Sequence, residues 1–524
     1  MVLSLTACTS DNKTVVDGQT TVTSNSAGGV AVFTPSDGIT LNQQTPLNKW
    51  AKLVPDLAKA LADAGFKKGD IDHTTSDSLA KQSRAIQDFV VDHLSNNTTD
   101  DSGIAIAPDN MTLLVAPVVE ADASTRQYGD YISQNLSTND ATDGEATSDG
   151  ESSEDDSSKD DSSNTESDST ASDEQAQAVD RLVSSLKLAK ESGMHVVLLG
   201  NSIEGYKPDA FVKFSDAQTI GKLQAEKMVS KLKLDKASKD NPKYIEVLLP
   251  YTAVDEKGNA NDSTFAQEAF RGIWQVLGSY YQKGVVESPS GTLDGKSTEN
   301  DWQAVAYDAA KEGSTAKVLD KRLAKTDGQS TLTRIDGIIT MNDYIASEVV
   351  KELDDLGYTG SAADINPQIT ISGIVGNITG KKDLSRDAVP DPIKSPENDN
   401  ANDSSSSDDD ADEDTSASDK DRDSQWPLVT GYGAYVSNIP SIVNGKQWMT
   451  GMEDRQTIAT DIAQACAKLN KDEALNSMPS IRNSEVGGVK KIPTISEPLL
   501  AVSASNLKSA LIDPGYISLA DAGL

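Results

Sequence analysis

The chain has 524 residues, with 82 acidic side chains against 47 Lys and Arg and a formal net charge of −35. So acidic a balance argues against nucleic acid as a partner, because phosphate binding needs clustered Lys and Arg. No stretch reaches the ~18 apolar residues of a membrane span, and the length allows two to four domains.

The opening residues, MVLSLTACTSDNK, place Cys8 behind Leu5, Thr6 and Ala7. Leu-Thr-Ala-Cys resembles the lipobox of bacterial lipoproteins, where a peptidase cuts before the cysteine and its thiol takes a diacylglycerol anchor. The plain alternative is a chance match near a start codon. A secretory signal needs a basic segment and roughly 7–15 apolar residues. Only seven residues precede Cys8, so the chain is expected to begin inside its own signal peptide. Residues 1–8 are read as signal remnant and lipobox, and 9–28, rich in Ser, Thr, Asn and Gly, as a flexible tether.

Beyond the tether the pattern alternates. GGVAVFTPS (28–36) predicts a strand. KWAKLVPDLAKALADAG follows with Trp50, Leu53, Val54, Leu57 and Leu61 at helical spacing and a Gly65 stop. A short strand near Asp70–His73 precedes a helix with Leu79, Ile86, Phe89, Val90 and Leu94 on one side. MTLLVAPVV (111–119) is a near-continuous apolar run, the mark of a strand covered on both faces. AVDRLVSSLKLAKESG is another helix, and MHVVLLG (194–200) another buried strand. DAFVKFS, a helix from about Asp216, YIEVLLP, a helix from about Ser263, a strand near Gly284–Glu287, helices across Trp302–Leu323, GIITMND and a helix through about Leu356 keep the rhythm. Such alternation predicts parallel sheets, too many units for one sheet, and so two α/β domains.

Two segments interrupt it. Residues 137–176 include GESSEDDSSKDDSSNTESDST and carry 14 acidic side chains against one basic; residues 395–425 include NDSSSSDDDADEDTSASDKD and carry 12 against two. Almost without large apolar side chains, they cannot offset the entropy of ordering, and both are read as disordered insertions. Solubility is the first role to expect of them and diffuse cation attraction the second. An EF-hand spacing for calcium is absent.

Of the two cysteines, Cys466 sits in an apolar helical context (IAQACAKL) and is read as a buried, inert thiol. His73, His93 and His195 are far apart and show no zinc-type spacing. No GxSxG, HExxH or P-loop occurs. No cofactor is implied.

The order of MTLLVAPVV, AKESGMHVVLLG, AFVKFSDAQTIGKLQAEKMVSKL and DGIITMNDYIASEVVKELDDLGY resembles the type I sugar-binding proteins of ABC importers, nearest their xylose- and multi-sugar-binding branch. PLVTGYGAYVSNIPSIVNGKQWMTGMEDRQTIATDIAQACAKL and KKIPTISEPLLAVSASNLKSALIDPGYISLADAGL resemble the same family's later elements. The likeness covers about 30–524 apart from the insertions. It implies two Rossmann-like lobes with parallel sheets, a three-crossing hinge, and a ligand in the cleft beyond the strand ends. The N-terminal lobe would comprise 29–214 and 432–491, the C-terminal lobe 215–431 and 492–524. Crossings would fall near Phe214–Asp216, Gly431–Tyr435 and Ile492.

Sugar sites combine flat aromatic faces with charged or amide groups that pair with hydroxyls away from water. The resemblance places Asn342 and Asp343 at the family's Asn-Asp pair, though that pair could equally cap the next helix. Trp302 matches a family tryptophan facing the sugar, or is a packing residue at a helix start. Lys49 stands at a basic position but lacks the planar fork of Arg, and Trp50 could be a staple for its own helix. The departures are as informative. LLGNSIEG puts Gly200 and Asn201 where the family has Asp-Arg. Thr264 and Phe265 replace an Asn. Gly-Tyr-Gly-Ala puts Tyr432 and Gly433 in place of an amide and a carboxylate, and Glu453 stands at a cationic position. Sites built to pair hydroxyls discriminate through those pairs, so a larger glycoside, an aromatic-bearing ligand or an empty cleft all stay open.

The leading expectation is therefore a monomeric extracytoplasmic lipoprotein, anchored to the outer face of the cytoplasmic membrane through lipid on Cys8. It would capture a carbohydrate-like small molecule by hinge closure and deliver it to an ABC permease. The second is a degenerate binding-protein fold serving as a surface receptor or scaffold. An enzyme is disfavoured, since no nucleophile, base and orienter come together. A repressor of related fold is disfavoured by the lack of a helix-turn-helix before the first strand.

Overall fold

The computed structural model describes residues 13–16, 19–22, 27–36, 46–96, 106–119, 125–137, 165–254, 261–324, 331–362 and 425–524. Cys8, residues 138–164 of the first acidic segment and 395–424 of the second lie outside these residues.

The first lobe is built on a seven-stranded sheet. Its strands are β3 (Gly29–Pro35), β4 (Ile71–Ser76), β5 (Met111–Val115), β7 (His195–Leu199), β9 (Ala210–Lys213), β17 (Ile481–Val486) and β18 (Val489–Ser496), in the order β17-β18-β9-β7-β5-β3-β4. All neighbours are parallel except the β17–β18 hairpin. Successive side chains of a strand point to opposite faces, and both faces here are apolar. Val30, Val32, Leu114, Val197 and Val212 face one core with Trp50, Leu53 and Leu57 of helix α1 (Trp50–Asp63) and Ile458, Ile462 and Cys466 of a late helix, α10 (Arg455–Leu469). Ala31, Phe33, Leu113, Val196 and Leu198 face the other, under α2 (Leu79–Asn96) and α3 (Thr165–Glu191).

The second lobe has a four-stranded parallel sheet, β12-β10-β14-β15, formed by β10 (Lys243–Val247), β12 (Val286–Glu287), β14 (Gly337–Ile339) and β15 (Leu428–Thr430). Helices α4 (Ala217–Leu232) and α5 (Thr264–Gln282) pack together on it through glycines. A Cβ on Gly272 would come within 2.0 Å of the Gln218 carbonyl oxygen, and one on Gly221 within 2.2 Å of that of Ala269. Helices α6 (Trp302–Val305), α7 (Ser314–Arg322) and α8 (Asp343–Leu356) complete the alternation. This is the two-lobed parallel α/β architecture expected of a type I periplasmic-binding-protein fold.

Three expectations are corrected. Within the supposed tether, β1 (Lys13–Val16) and β2 (Gln19–Val22) form an antiparallel pair. The sequence between Val16 and Gln19 is Asp-Gly, a strong hairpin signal. Within the first acidic segment, α3 already begins at Thr165, because Ala, Glu and Gln from 171 onward favour a helix that then joins the buried Ala178, Val179 and Leu182. Two of the three hinge crossings also lie later than expected. The first stays at Phe214–Asp216. However, β15 is in the second sheet, and β16 (Met449–Met452) pairs with β19 (Leu500–Ser503) rather than with the first sheet. The return to the first lobe therefore comes at Glu453–Asp454, ahead of α10, and the third crossing near Glu497, after β18 ends.

Candidate ligand-binding site

Ligands of open parallel sheets bind beyond the carboxyl ends of the strands. In the second lobe the ends of β14 and β15 lead into two such loops. After β14, Met341 is buried and left-handed (φ 68°), a conformation costly for an L side chain. It turns the chain so that Asn342 caps α8, its Oδ1 accepting from the Ile345 N–H at 2.9 Å. The other end of the same side chain points across the lobes, Nδ2 donating to Gln127 Oε1 at 3.0 Å. After β15, Gly433 (φ 114°) and Ala434 (φ 50°) turn the chain past Tyr432 and Tyr435.

Gln127 belongs to the stretch 125–137, which follows β5 in the first lobe. This stretch occupies the space between the lobes. The Tyr128 ring lies 4.7 Å from Phe265 and 6.3 Å from Tyr432, and is only 1 % exposed. Tyr128 and Ile132 belong to the apolar core of the second lobe. Tyr435 Oη donates to the Gln127 carbonyl at 2.7 Å. On the first-lobe side, Asp130 accepts from Lys49 Nζ at 2.8 Å and from the Trp50 N–H at 3.1 Å. Tyr131 stacks on Phe214 at 4.7 Å, meets Trp50 edge-on at 5.1 Å and donates its hydroxyl to the Lys49 carbonyl. Gly129 lets the stretch pass Asn48: it is left-handed (φ 101°), and a Cβ there would sit 2.6 Å from the Asn48 carbonyl oxygen. Asn201 accepts from the Gln134 N–H at 2.9 Å and donates to the Pro117 carbonyl.

Six of the eight expected residues, Lys49, Trp50, Asn201, Phe265, Asn342 and Tyr432, thus meet one short stretch of their own chain. The other two are placed elsewhere. Trp302 packs edge-on against Tyr251 at 5.1 Å. Asp343 is fully buried in the second lobe, where its carboxylate accepts from Gln447 Nε2, Thr450 Oγ1 and the Tyr435 N–H. Burial pushes its pKa up to about 6 against those hydrogen bonds. Its place behind Tyr435 makes it a positioning group for the loop that reaches Gln127.

The hinge holds a second buried carboxyl. Glu453 Oε1 accepts from the Ser215 N–H at 2.5 Å and lies 3.5 Å from Tyr432 Oη, which is itself bonded to Ser215 Oγ. Two of the three crossings are therefore tied together through one side chain. Burial pushes the Glu453 pKa up to about 7 and the Tyr432 phenol well above its usual value.

Gln127, Tyr128, Asp130, Tyr131 and Ser215 were not expected from the sequence. The signal for the first four was present in TRQYGDYI, two tyrosines and an isoleucine just ahead of a Ser/Asp-rich run that otherwise lacks large apolar groups. Cys466 is buried and reduced, as expected, and burial raises its pKa. Among the described residues no helix is long and apolar enough to cross a membrane.

No protein-family model matches the chain, and no curated protein is significantly similar to it. Among solved structures, it is similar to an ABC transporter solute-binding protein from Clostridium phytofermentans with bound β-D-glucose, at 17% identity and a TM-score of 0.46, over 94% of this chain and 99% of that one. A carbohydrate transporter solute-binding protein from Chloroflexus aurantiacus, in complex with D-glucose, matches at 18% identity and a TM-score of 0.44, over 95% and 98%. A periplasmic ribose ABC transporter from Conexibacter woesei matches at 14% and 0.43, over 93% and 96%.

Proposed function

We propose that this chain is an extracytoplasmic solute-binding protein of an ABC importer. It is a monomer held on the outer face of the cytoplasmic membrane by lipid on Cys8. It captures a carbohydrate-like ligand between its lobes, and the closed form is what the permease reads. The observation that supports the reading is convergence: aromatic and amide groups from both lobes, Trp50, Phe265, Asn342 and Tyr432 among them, each contact the short stretch 127–131. Three hinge crossings beside it supply the means of closure. Binding would shift an open–closed equilibrium by its preference for the closed state.

The test is a thermal-shift screen of residues 9–524 against mono- and oligosaccharides, with Asn342→Ala in parallel. A ligand at 100 times its Kd adds about 2.7 kcal/mol, a shift of a few degrees for lobes of this size. A hit that Asn342→Ala abolishes supports the reading.

A second reading is favoured by one specific observation. The place where a ligand would sit is filled by residues 127–131, with Tyr128 between Phe265 and Tyr432. A surface receptor or scaffold that keeps the fold and has no transported ligand fits that contact. Silence across a broad panel, from protein shown to be folded, would favour this second reading.

A further inference from the structure

The stretch 127–131 makes the contacts that a ring-bearing ligand would receive. One aromatic face, Tyr128, is set against two aromatic side chains, Phe265 and Tyr432. Next to it, one amide oxygen, Gln127 Oε1, accepts from Asn342, and one carbonyl, that of Gln127, accepts from Tyr435. The stretch is anchored in the first lobe at Asp130 and Tyr131 but sends Tyr128 and Ile132 into the core of the second.

We propose that Gln127 and Tyr128 are a tethered occupant of the interlobe site, and that a free ligand with a flat ring face beside a hydrogen-bond acceptor enters by displacing them. The proposal rests on the reading of this place as a ligand site. Being covalently attached, the occupant competes at an effective concentration of order millimolar. A free ligand therefore sees its affinity reduced by the fraction of molecules whose site is vacant. The occupant itself links the lobes, through Asp130 and Tyr131 on one side and Gln127 and Tyr128 on the other. Displacing it would move residues 127–131, a change a partner could read.

The test compares the full chain with the Gln127→Ala/Tyr128→Ala double variant. The first probe is the capped tetrapeptide acetyl-Arg-Gln-Tyr-Gly-amide, titrated by calorimetry. The second is the saccharide panel used above. Circular dichroism establishes that each protein is folded. The expected result is that the double variant binds the tetrapeptide at least about tenfold more tightly than the wild type does, and that any saccharide hit gains affinity similarly. Peptide binding without any saccharide binding would support the tethered occupant and count against a carbohydrate ligand. A saccharide bound equally by both proteins would overturn the tethered occupant and leave the transport reading standing. Failure of a folded double variant to bind either probe would overturn the proposal. Should the double variant not fold, Gln127→Ala alone, which keeps the Tyr128 ring, replaces it. A gain smaller than tenfold but measurable is then expected, and affinity equal to wild type overturns the proposal.

Discussion

Asn342 and Gln127, 215 residues apart, are joined by a 3.0 Å hydrogen bond that crosses between the lobes, while the same Asn342 side chain caps α8 through its other end. Capping and contact across the cleft are thus not alternatives here. The two roles separate by mutation. Asn342→Asp keeps the acceptor that caps the helix but removes the donor and sets a carboxylate against Gln127 Oε1. Asn342→Ala removes both. A lost N-cap costs about 1 kcal/mol, and a lost buried hydrogen bond a similar amount. In urea denaturation Gln127→Ala and Asn342→Asp should each cost about 1 kcal/mol, and Asn342→Ala about 2 kcal/mol. Equal losses for Gln127→Ala and Asn342→Ala would mean that the cap contributes nothing.

The pH dependence follows from the buried carboxyls. Glu453 is pushed up to about 7 and Asp343 to about 6, both chiefly by burial. Groups with raised folded pKa values are protonated in the native state while the unfolded chain is already ionised. The unfolded state then binds fewer protons, so stability falls as pH rises. The windows run from about 4.5 to about 7 for Glu453 and from about 3.8 to about 6 for Asp343. Asp216, also at the hinge, works the other way: bonds from Lys213 and Thr219 hold its pKa low, and the stability it supplies is lost only in acid. Thermal stability should therefore be greatest near pH 4, below both windows, and decline toward pH 7. Glu453→Gln keeps an acceptor for the Ser215 N–H and removes the charge. It should gain on the order of 2 kcal/mol at pH 8 and nothing near pH 4. A Tm-versus-pH profile unchanged by the substitution would show that Glu453 is not the group responsible.

The alternation of buried strands and helices was legible because it is local. The five buried residues of β5 and the Gly357 stop of α8, left-handed at φ 93°, are visible in any short window. The hinge was less so. Whether GYGAYV belongs to one lobe or the other depends on β15 pairing with β14 and β16 with β19, contacts that span tens of residues and leave no periodic trace. The site divides in the same way. Asn342, Phe265 and Tyr432 could be named because the family resemblance sets them at, or in place of, ligand positions. Their actual partners, Gln127 for the first and the Tyr128 ring for the other two, could not, because nothing in TRQYGDYI says which lobe will take its tyrosine. Glu453 stood out as a charge of unexpected sign, but its bond to Ser215, 238 residues earlier, is a tertiary fact.

Close approach of backbone fixes Gly431, the residue between β15 and Tyr432. A Cβ there would lie 2.2 Å from Asp343 Oδ1 and 2.7 Å from Gln447 Nε2. Both belong to the buried network under Tyr435 and have little freedom to yield. Gly431→Ala should therefore cost about 2 kcal/mol or more, within the range for overpacking a core, and should displace the loop that carries Tyr432 and Tyr435. Intrinsic tyrosine and tryptophan fluorescence of the folded variant, beside its urea midpoint, checks both. A neutral substitution would mean that the loop relaxes freely.

A buried ion pair helps fasten α7 to the sheet of the second lobe, beside the packing of Leu319. Arg322 Nη1 donates to the Val247 carbonyl at 2.5 Å and Nη2 to that of Val305 at 2.9 Å, and the guanidinium lies 3.4 Å from Glu246 Oε2. Glu246 is fully buried and also accepts from Ser288 Oγ and the Ser290 N–H, both under 3 Å. Removing one member of a buried pair leaves the other charge without its counterion, which costs about 3–5 kcal/mol. Arg322→Met should lose that much, since two backbone carbonyls are also left without their donors. Arg322→Lys keeps the charge, but a single ammonium cannot serve Val247, Val305 and Glu246 in the planar geometry of the fork, so it should lose less than Met and more than nothing. Adding Glu246→Gln to Arg322→Met removes the stranded charge and should restore part of the loss. Urea midpoints at constant slope measure these three variants, Glu246→Gln alone and the wild type. A double variant whose loss equals the sum of the two single losses would show that Glu246 and Arg322 act independently.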